Sequence, residues 1–382
     1  MKLKKPNGLE ALIVIYLFLA LCEFLYTRNT GQWTKVVLAG FFAVGVYAFF
    51  MERQKLKRLN VIQLMVAFGV LLWSVNSQGI RYFLTLTTVV FWARHRFGAL
   101  EKLIKIMAWL GIVLAFVQFA QGMTRVTGFY ANSPTQMACT MYLFECYLLI
   151  RMMNTGVRPS TLLLCALCII AIFLTETRSV LLAGAAVFTG YGIILFVDYS
   201  PIRSKKLLFV LAGLMLLLFL AVFAKPLISF VQSKFQRTNS SDSTNTRMFM
   251  YRTVLDIMRG DKAILLFGGK GGYTHELFKG VKGQYIPVHQ DFLLFAVEYG
   301  LVGLVVILTA FLWGKRTALY FFMVYGVGSF HNVILNPVFV ILLAVTMADM
   351  ERRGDRMIRL KRLPAAGPLQ ADKRTEYQKG QL

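Results

Sequence analysis

Residues 102 to 150 read KLIKIMAWLGIVLAFVQFAQGMTRVTGFYANSPTQMACTMYLFECYLLI, two apolar runs separated by a short polar gap. Each run approaches the ~20 mostly apolar residues that a helix needs to cross a bilayer. The same alternation recurs along nearly the whole chain of 382 residues, which is 57% hydrophobic and 16% charged. This composition excludes a disordered chain and argues against an ordinary soluble enzyme. The sequence predicts an all-α, polytopic integral membrane protein with about twelve transmembrane helices.

The predicted plan has four parts. Residues 1–224 hold transmembrane helices 1–9, residues 225–290 form an extracytoplasmic loop, residues 291–350 hold helices 10–12, and residues 351–382 form a basic cytoplasmic tail. The predicted spans cover residues 9–26, 36–51, 60–75, 79–93, 102–120, 134–150, 160–175, 179–197, 207–224, 291–313, 317–330 and 332–348. The first span lacks a small-residue cleavage site, so we expect it to be a helix and not a removed signal peptide.

The positive charges predict the orientation. The chain has a formal net charge of +24, and one set of alternate gaps holds 18 Lys and Arg before the tail, whereas the short gaps of the other set hold five. Lys and Arg in short loops are retained in the cytoplasm, so both termini should be cytoplasmic. The positive charge is therefore explained by the orientation of the chain and by contacts with membrane lipids. We expect no nucleic-acid partner.

The long loop is expected to hold structure of its own, because loops of this length in compact proteins usually carry function. Within it, a polar run ending in Asn245 and Thr246 predicts a helix start, followed by an amphipathic helix near residues 246–260. Helical periodicity places Arg247 on the face of Tyr251, Val254, Leu255 and Met258, and places Arg252, Asp256 and Arg259 on the opposite face. A guanidinium on an apolar face is costly unless it meets an anion, which favours a binding role for Arg247.

Two further arginines fall on the predicted outer side. Arg178 should stand at the N-terminus of the eighth span, where free backbone N–H groups and the helix dipole favour an anion. The alternatives for Arg178 are an ion pair with Glu176 and a contact with lipid phosphates. Arg125, between the fifth and sixth spans, suits an interfacial anchor at least as well as a substrate contact.

His289 is the candidate base. It stands at the outer start of the tenth span, and a neutral imidazole can accept a proton from a hydroxyl near neutral pH. His95, His275 and His331 have no comparable sequence context, and FGGKGGY at 267–273 is interpreted as a flexible turn and not as a phosphate loop. All five cysteines lie in apolar runs, so the sequence predicts no metal site and no cofactor. Several arginines and one histidine at the membrane surface suit an anionic, diphosphate-linked lipid substrate.

Five segments in order resemble the O-antigen ligase and polymerase superfamily of bacterial membrane glycosyltransferases. They are RVTGFYANSPTQMA at 125–138, LTETRSVLLAGAAVF at 174–188, TNTRMFMYRTVLDI at 244–257, LLFGGKGGY at 265–273 and VHQDFLLFAVEYGLVGL at 288–304. The sequence departs from the family pattern at Thr177, Ser179 and Gln290.

The resemblance implies an enzyme of the bacterial cytoplasmic (inner) membrane that acts without metal or nucleotide sugar. Its donor would be an undecaprenyl-diphosphate-linked glycan, with Arg178 and Arg247 at the diphosphate, His289 at the acceptor hydroxyl and Arg125 in a less defined binding role. The implied reaction polymerises oligosaccharide repeat units into exopolysaccharide, capsule or O-antigen, beside a chain-length regulator or a flippase. A ligase that transfers finished glycan to a lipid or protein acceptor is the close alternative. A transporter or flippase is the distant one, since the sequence shows neither clear repeats nor clustered intramembrane charges.

Overall fold

The computed structural model describes residues 30–51, 58–92, 100–130, 133–199, 241–282, 288, 290–311, 326–329, 331–333, 336, 338–347 and 349. These residues form α-helices, one 3₁₀ turn and connecting segments. The first helices are α1 (Thr30–Met51), α2 (Arg58–Trp73), α3 (Ser77–Trp92), α4 (Leu100–Ala120), α5 (Pro134–Thr155), α6 (Pro159–Leu174) and α7 (Arg178–Tyr199). After them come α8 (Ser241–Gly260), α9 (Lys262–Phe267), α10 (Tyr273–Lys282), α11 (Asp291–Phe311), the 3₁₀ turn Gly326–Ser329 and α12 (Val338–Met347).

Helix α5 forms the centre of the larger helix group. Every residue from Met137 to Ile150 is buried, including Thr140 and Glu145, so this helix is surrounded on all sides. It packs against α4, α6 and α7, and the buried side chains of α12 belong to the same core cluster. Its ends follow from the sequence: Ser133 Oγ accepts the N–H of Gln136, Pro134 takes the first helical position, and Gly156 ends the helix at a φ of 89°.

A second group packs α11 against α2, while α3 lies against α1 and α2. Aromatic rings fill the space between α3 and α11: the ring centroid of Tyr82 lies 5.0 Å from that of Phe295 and 5.7 Å from that of Tyr299. These separations are typical of favourable aromatic pairs. Helices α8, α9 and α10 all contact α11, so the segment between α7 and α11 is attached to a helix of the apolar bundle.

Helix α11 is kinked at Gly300, whose φ of 71° is non-helical. A Cβ atom built there would lie 2.1 Å from the carbonyl oxygen of Leu266, and one at Gly268 would lie 2.4 Å from that of Glu298. The backbone after α9 therefore touches the backbone of α11, which only glycine permits at these two positions. Gly269 N–H also donates to Val297 O at 2.9 Å. The FGGKGGY segment thus forms a turn after α9, as interpreted from the sequence, and this turn packs directly against α11. Its flexibility stays a prediction.

An ion-pair network joins helix ends at the predicted cytoplasmic side. Arg151 Nε lies 2.7 Å from Glu101 Oε2, and Lys105 Nζ lies 3.0 Å from Glu101 Oε1. Tyr147 donates to Asp349 Oδ2 at 3.0 Å, and Arg151 reaches the same oxygen at 3.9 Å. The Arg151 side chain is only 10% exposed, so its charge needs these carboxylates. The start of α4, the end of α5 and Asp349, two residues beyond the end of α12, therefore meet at one end of the bundle.

The helices correspond to eight of the predicted spans in full or in large part. Two of them, Leu100–Ala120 and Asp291–Ala310, are long and apolar enough to cross a membrane by length and composition, and shorter apolar helices accompany them. The predicted spans at 9–26 and 207–224 lie outside the described residues, as do residues 317–325 and 330 of the eleventh. Residues 326–329 form a 3₁₀ turn, and within the described part of the twelfth predicted span, residues Val338–Met347 are helical. The number of twelve spans stays a prediction.

We expect Gly300→Ala to destabilise the protein by about 1–3 kcal/mol, because its Cβ would overlap the Leu266 carbonyl at a positive φ. The measurement is the apparent Tm of purified protein in detergent. Gly190→Ala within α7 is the matched control, since a Cβ there meets no atom within 4 Å. Equal Tm values for the two variants would contradict the close backbone approach.

The predicted orientation can be tested with single cysteines at opposite ends of the bundle. Thr124 follows α4 and Ser160 begins α6, and both are exposed. A membrane-impermeant maleimide should label Thr124→Cys from outside in spheroplasts and Ser160→Cys only after the membrane is opened. The native Cys139, Cys146, Cys165 and Cys168 are buried, so their background should be low. The reverse pattern would overturn the orientation.

Candidate functional site

The turn between α6 and α7 places Arg178 at a helix N-terminus. After α6 ends at Leu174, Thr175 Oγ1 donates to Thr177 Oγ1 at 3.0 Å, and Glu176 adopts a left-handed φ of 54°. Leu181 N–H donates to Thr177 O at 3.0 Å, which closes the first turn of α7. Arg178 is therefore the first residue of a 22-residue helix, and its side chain is exposed. The predicted helix start is confirmed, while the binding role of Arg178 stays a prediction.

Arg125 lies against the same turn. Its Nε donates to Thr175 O at 3.3 Å and stands 3.9 Å from Glu176 Oε2. Gln118 Oε1 holds the Arg125 loop by accepting the N–H groups of Thr127 and Gly128, both at 2.8 Å. The structure thus brings Arg125 next to the turn that precedes Arg178. Since the Arg125–Glu176 pair is part-exposed, it contributes little to stability and leaves Arg125 at the surface.

The segment 331–336 connects the starts of α7 and α11. The Ser179 Oγ and His331 Nε2 atoms lie 2.8 Å apart, and Val333 N–H donates to Asp291 Oδ2 at 3.0 Å. Asn336 Nδ2 donates to the Tyr130 hydroxyl at 3.2 Å, which reaches the loop of Arg125. His331 is buried, and Asp291 is fully buried. These bonds hold the N-termini of two long helices and the 125–130 loop at one end of the bundle.

Helix α8 presents Arg247 on its inner face. Met250, Val254 and Met258 are buried with Phe278 and Val288 in one cluster, whereas Arg252, Asp256 and Arg259 are exposed. Arg247 is half-buried on the side of these methionines, so its predicted side of the helix is observed; Leu255, expected on that side, is 41% exposed. Burial raises the pKa of the neighbouring Tyr251, and the positive charge of Arg247 opposes the rise. This guanidinium therefore lies beside the body of the protein.

His289 lies outside the described residues, so its role stays a prediction. Its neighbours are described: Val288 is buried against α8, and the side-chain oxygen of Gln290 accepts the N–H of Leu293 at 2.7 Å. Gln290 thereby caps α11, whose first residue is Asp291. The described residues on either side of position 289 thus belong to the α8 cluster and to the start of α11.

A second polar cluster, unforeseen from the sequence, surrounds the glycine-rich segment. Gly271 N–H donates to Ser74 Oγ at 2.5 Å, and Asn76 Nδ2 donates to Gly271 O at 2.6 Å. Thr274 donates to Glu298 Oε1 at 3.1 Å, deep along α11. Next to Thr274, burial and the charge of Arg81 lower the pKa of His275, which favours its neutral form. This cluster fastens the loop to α3 and α11.

Sequence reasoning also missed Ser179, His331 and Asp291. Asp291 carried a usable signal, because an acidic residue in the first turn is typical of a helix start. Ser179 appeared only as a departure from a family pattern. His331 pairs with Ser179, which is 152 residues away, so the local sequence around His331 does not reveal the contact. Within the part of the chain that the structure describes, no three His, Cys, Asp or Glu side chains form a group suited to a metal ion.

Fold and site together define a helical protein, with apolar helices of membrane-spanning length, in which Arg125 and Arg178 lie at the same end of the bundle. Residues 163–308 match the family model Wzy_C, described as O-antigen ligase. This match supports the O-antigen ligase superfamily inferred from the sequence, and it spans α7, α8 and most of α11. None of the curated proteins compared with the chain matches it.

Proposed function

We propose that the protein is a glycosyltransferase that joins undecaprenyl-diphosphate-linked oligosaccharide units on the outer face of the cytoplasmic membrane. The observation that carries the proposal is the convergence on one bundle end of Arg178, at the start of α7, and the start of α11, which follows His289. Free N–H groups of a helix start combined with a guanidinium suit a diphosphate. The family match supports a glycan-processing enzyme acting on lipid-linked substrates.

In the proposed reaction, Arg178 and Arg247 bind the donor diphosphate and stabilise the charge that it gains on leaving. The acceptor hydroxyl oxygen attacks the anomeric carbon, and the new glycosidic bond forms as the bond from that carbon to the diphosphate oxygen breaks. His289 accepts the hydroxyl proton, and undecaprenyl diphosphate leaves with the bonding electron pair. Attack opposite the leaving group inverts the anomeric configuration. Arg125, whose Nε lies 3.3 Å from Thr175 O in the turn before Arg178, contacts the same donor in this proposal.

A ligase that transfers finished glycan to a lipid or protein acceptor is the second candidate, and the family description favours it. The two candidates differ only in the acceptor. Purified protein in liposomes with lipid-linked repeat units alone should produce a ladder of longer glycans if it is a polymerase. A ligase should form product only when its separate acceptor is added, and translocation without new glycosidic bonds would contradict both candidates.

Arg178→Ala and Arg247→Ala should each reduce polymer formation at least tenfold, because each removes a charge-assisted contact to the leaving diphosphate. Polymer length in a complemented deletion strain, with protein level checked by immunoblot, provides the measurement. Arg252→Ala is the matched control, since Arg252 lies on the exposed face of the same helix as Arg247. Normal chain lengths in both test variants would remove the diphosphate assignment.

His289→Ala should lower kcat by about 10²–10⁴-fold while leaving the donor KM nearly unchanged, as expected for the loss of a general base. The measurement is initial rate against donor concentration in proteoliposomes, at matched amounts of inserted protein. A variant that polymerises at the normal rate would show that another group accepts the proton.

A further inference from the structure

The contact between His331 and Ser179 joins two residues that the proposed mechanism does not use. Ser179 is the second residue of α7, directly after Arg178, and its side chain is half-buried. Its Oγ atom lies 2.8 Å from Nε2 of His331, whose side chain is only 4% exposed. A buried imidazole thus meets the hydroxyl that stands beside the proposed diphosphate-binding arginine.

His331 is held by its backbone, independently of the Ser179 contact. Its N–H donates to Val327 O at 3.0 Å in the 3₁₀ turn. Two residues later, Val333 N–H donates to the fully buried Asp291 at 3.0 Å. Backbone hydrogen bonds of His331 and Val333 therefore hold the segment that carries the imidazole. An imidazole held in this way can orient the hydroxyl of Ser179.

The direction of the Ser179 proton decides what its hydroxyl can do. A hydroxyl carries one proton, so if Nε2 accepts that proton, the lone pairs of Oγ face the surroundings and repel a phosphate oxygen. If Nε2 carries a hydrogen and donates it to Oγ, the serine proton is left to point toward a phosphate. An anion at the start of α7 favours the second arrangement, because helix N–H groups, Arg178 and the serine proton then all face it.

We propose that His331 is a positioning residue that donates from Nε2 to Ser179 Oγ and thereby turns the Ser179 hydroxyl proton toward the donor diphosphate. The proposal rests on the proposed function, since it requires a diphosphate at Arg178. Ser179 contacts the substrate in this arrangement, and His331 acts through Ser179. The binding site at the start of α7 then consists of the Arg178 guanidinium, the Ser179 hydroxyl and backbone N–H groups of the first turn.

The test is a double-mutant cycle read as donor KM in proteoliposomes. Ser179→Ala and His331→Leu should each raise the donor KM about tenfold or more, the effect of losing one hydrogen bond to a charged group. The double variant should be no worse than Ser179→Ala, because the histidine acts only through the serine. His331→Gln, which keeps an N–H donor, and Ser179→Thr, which keeps the hydroxyl, should recover most of the affinity.

Controls separate a local effect from a folding defect. Ser160→Ala removes a serine from the same second position of α6 at the other end of the bundle and should leave the donor KM unchanged. Apparent Tm values identify variants that fold poorly, and Ser179→Ala, a small change on a half-buried side chain, tests the proposal even if His331→Leu does not fold.

Three outcomes overturn the proposal: an unchanged KM in Ser179→Ala, independent losses that multiply in the double variant, or no recovery with His331→Gln. If Arg178→Ala reduces activity while Ser179→Ala and His331→Leu keep the normal KM, only the positioning role fails. If Arg178→Ala is fully active, the diphosphate site at Arg178 is contradicted, and with it the proposed function on which the positioning role rests.

Discussion

Peptide groups in hydrocarbon have no water to bond, so a chain of this composition must satisfy its backbone within helices. The consequence is that unpaired backbone groups, and the charges that can use them, gather at helix ends. In this protein one end of the bundle holds Arg178 at the start of α7 and Asp291 at the start of α11, joined through segment 331–333. The opposite end holds the Glu101–Arg151–Asp349 network, whose charges neutralise one another. The same constraint thus places helix N-termini at one end of the bundle and a network of paired charges at the other.

Local sequence patterns predicted the features that depend on one helix. The apolar run after TETR predicted the helix that begins at Arg178. Helical periodicity alone placed Arg247 on the side of Val254 and Met258, because side chains three and four residues apart share a helix face. Leu255 shows the limit of such reasoning: it belongs to the apolar side by angle, yet it is exposed because no neighbour covers it. The positions of helix ends were predicted to within a few residues for most spans, since polar breaks mark them.

Features that depend on packing between distant segments were not predictable. Gly300 and Gly268 permit the backbone contact between the α9 loop and α11, but an isolated glycine in an apolar helix or in a glycine-rich run has many ordinary explanations. His331 looked featureless because its partner, Ser179, is 152 residues away. Ser74 and Gly271 likewise meet across 197 residues of sequence. In each case the missing information was tertiary.

The fastening of the glycine-rich segment has a consequence for biosynthesis. Ser74 and Asn76, before α3, find their partner at Gly271, which is 197 and 195 residues later in the chain. A nascent chain inserts α2 and α3 long before the ribosome has made the residues that complete their outer surface. The contacts of α2 with α11 can therefore form only after the residues of α11 have been synthesised. The bonds of Gly271 to Ser74 and Asn76, and the bond of Val333 to Asp291, would then be among the last contacts to form during synthesis.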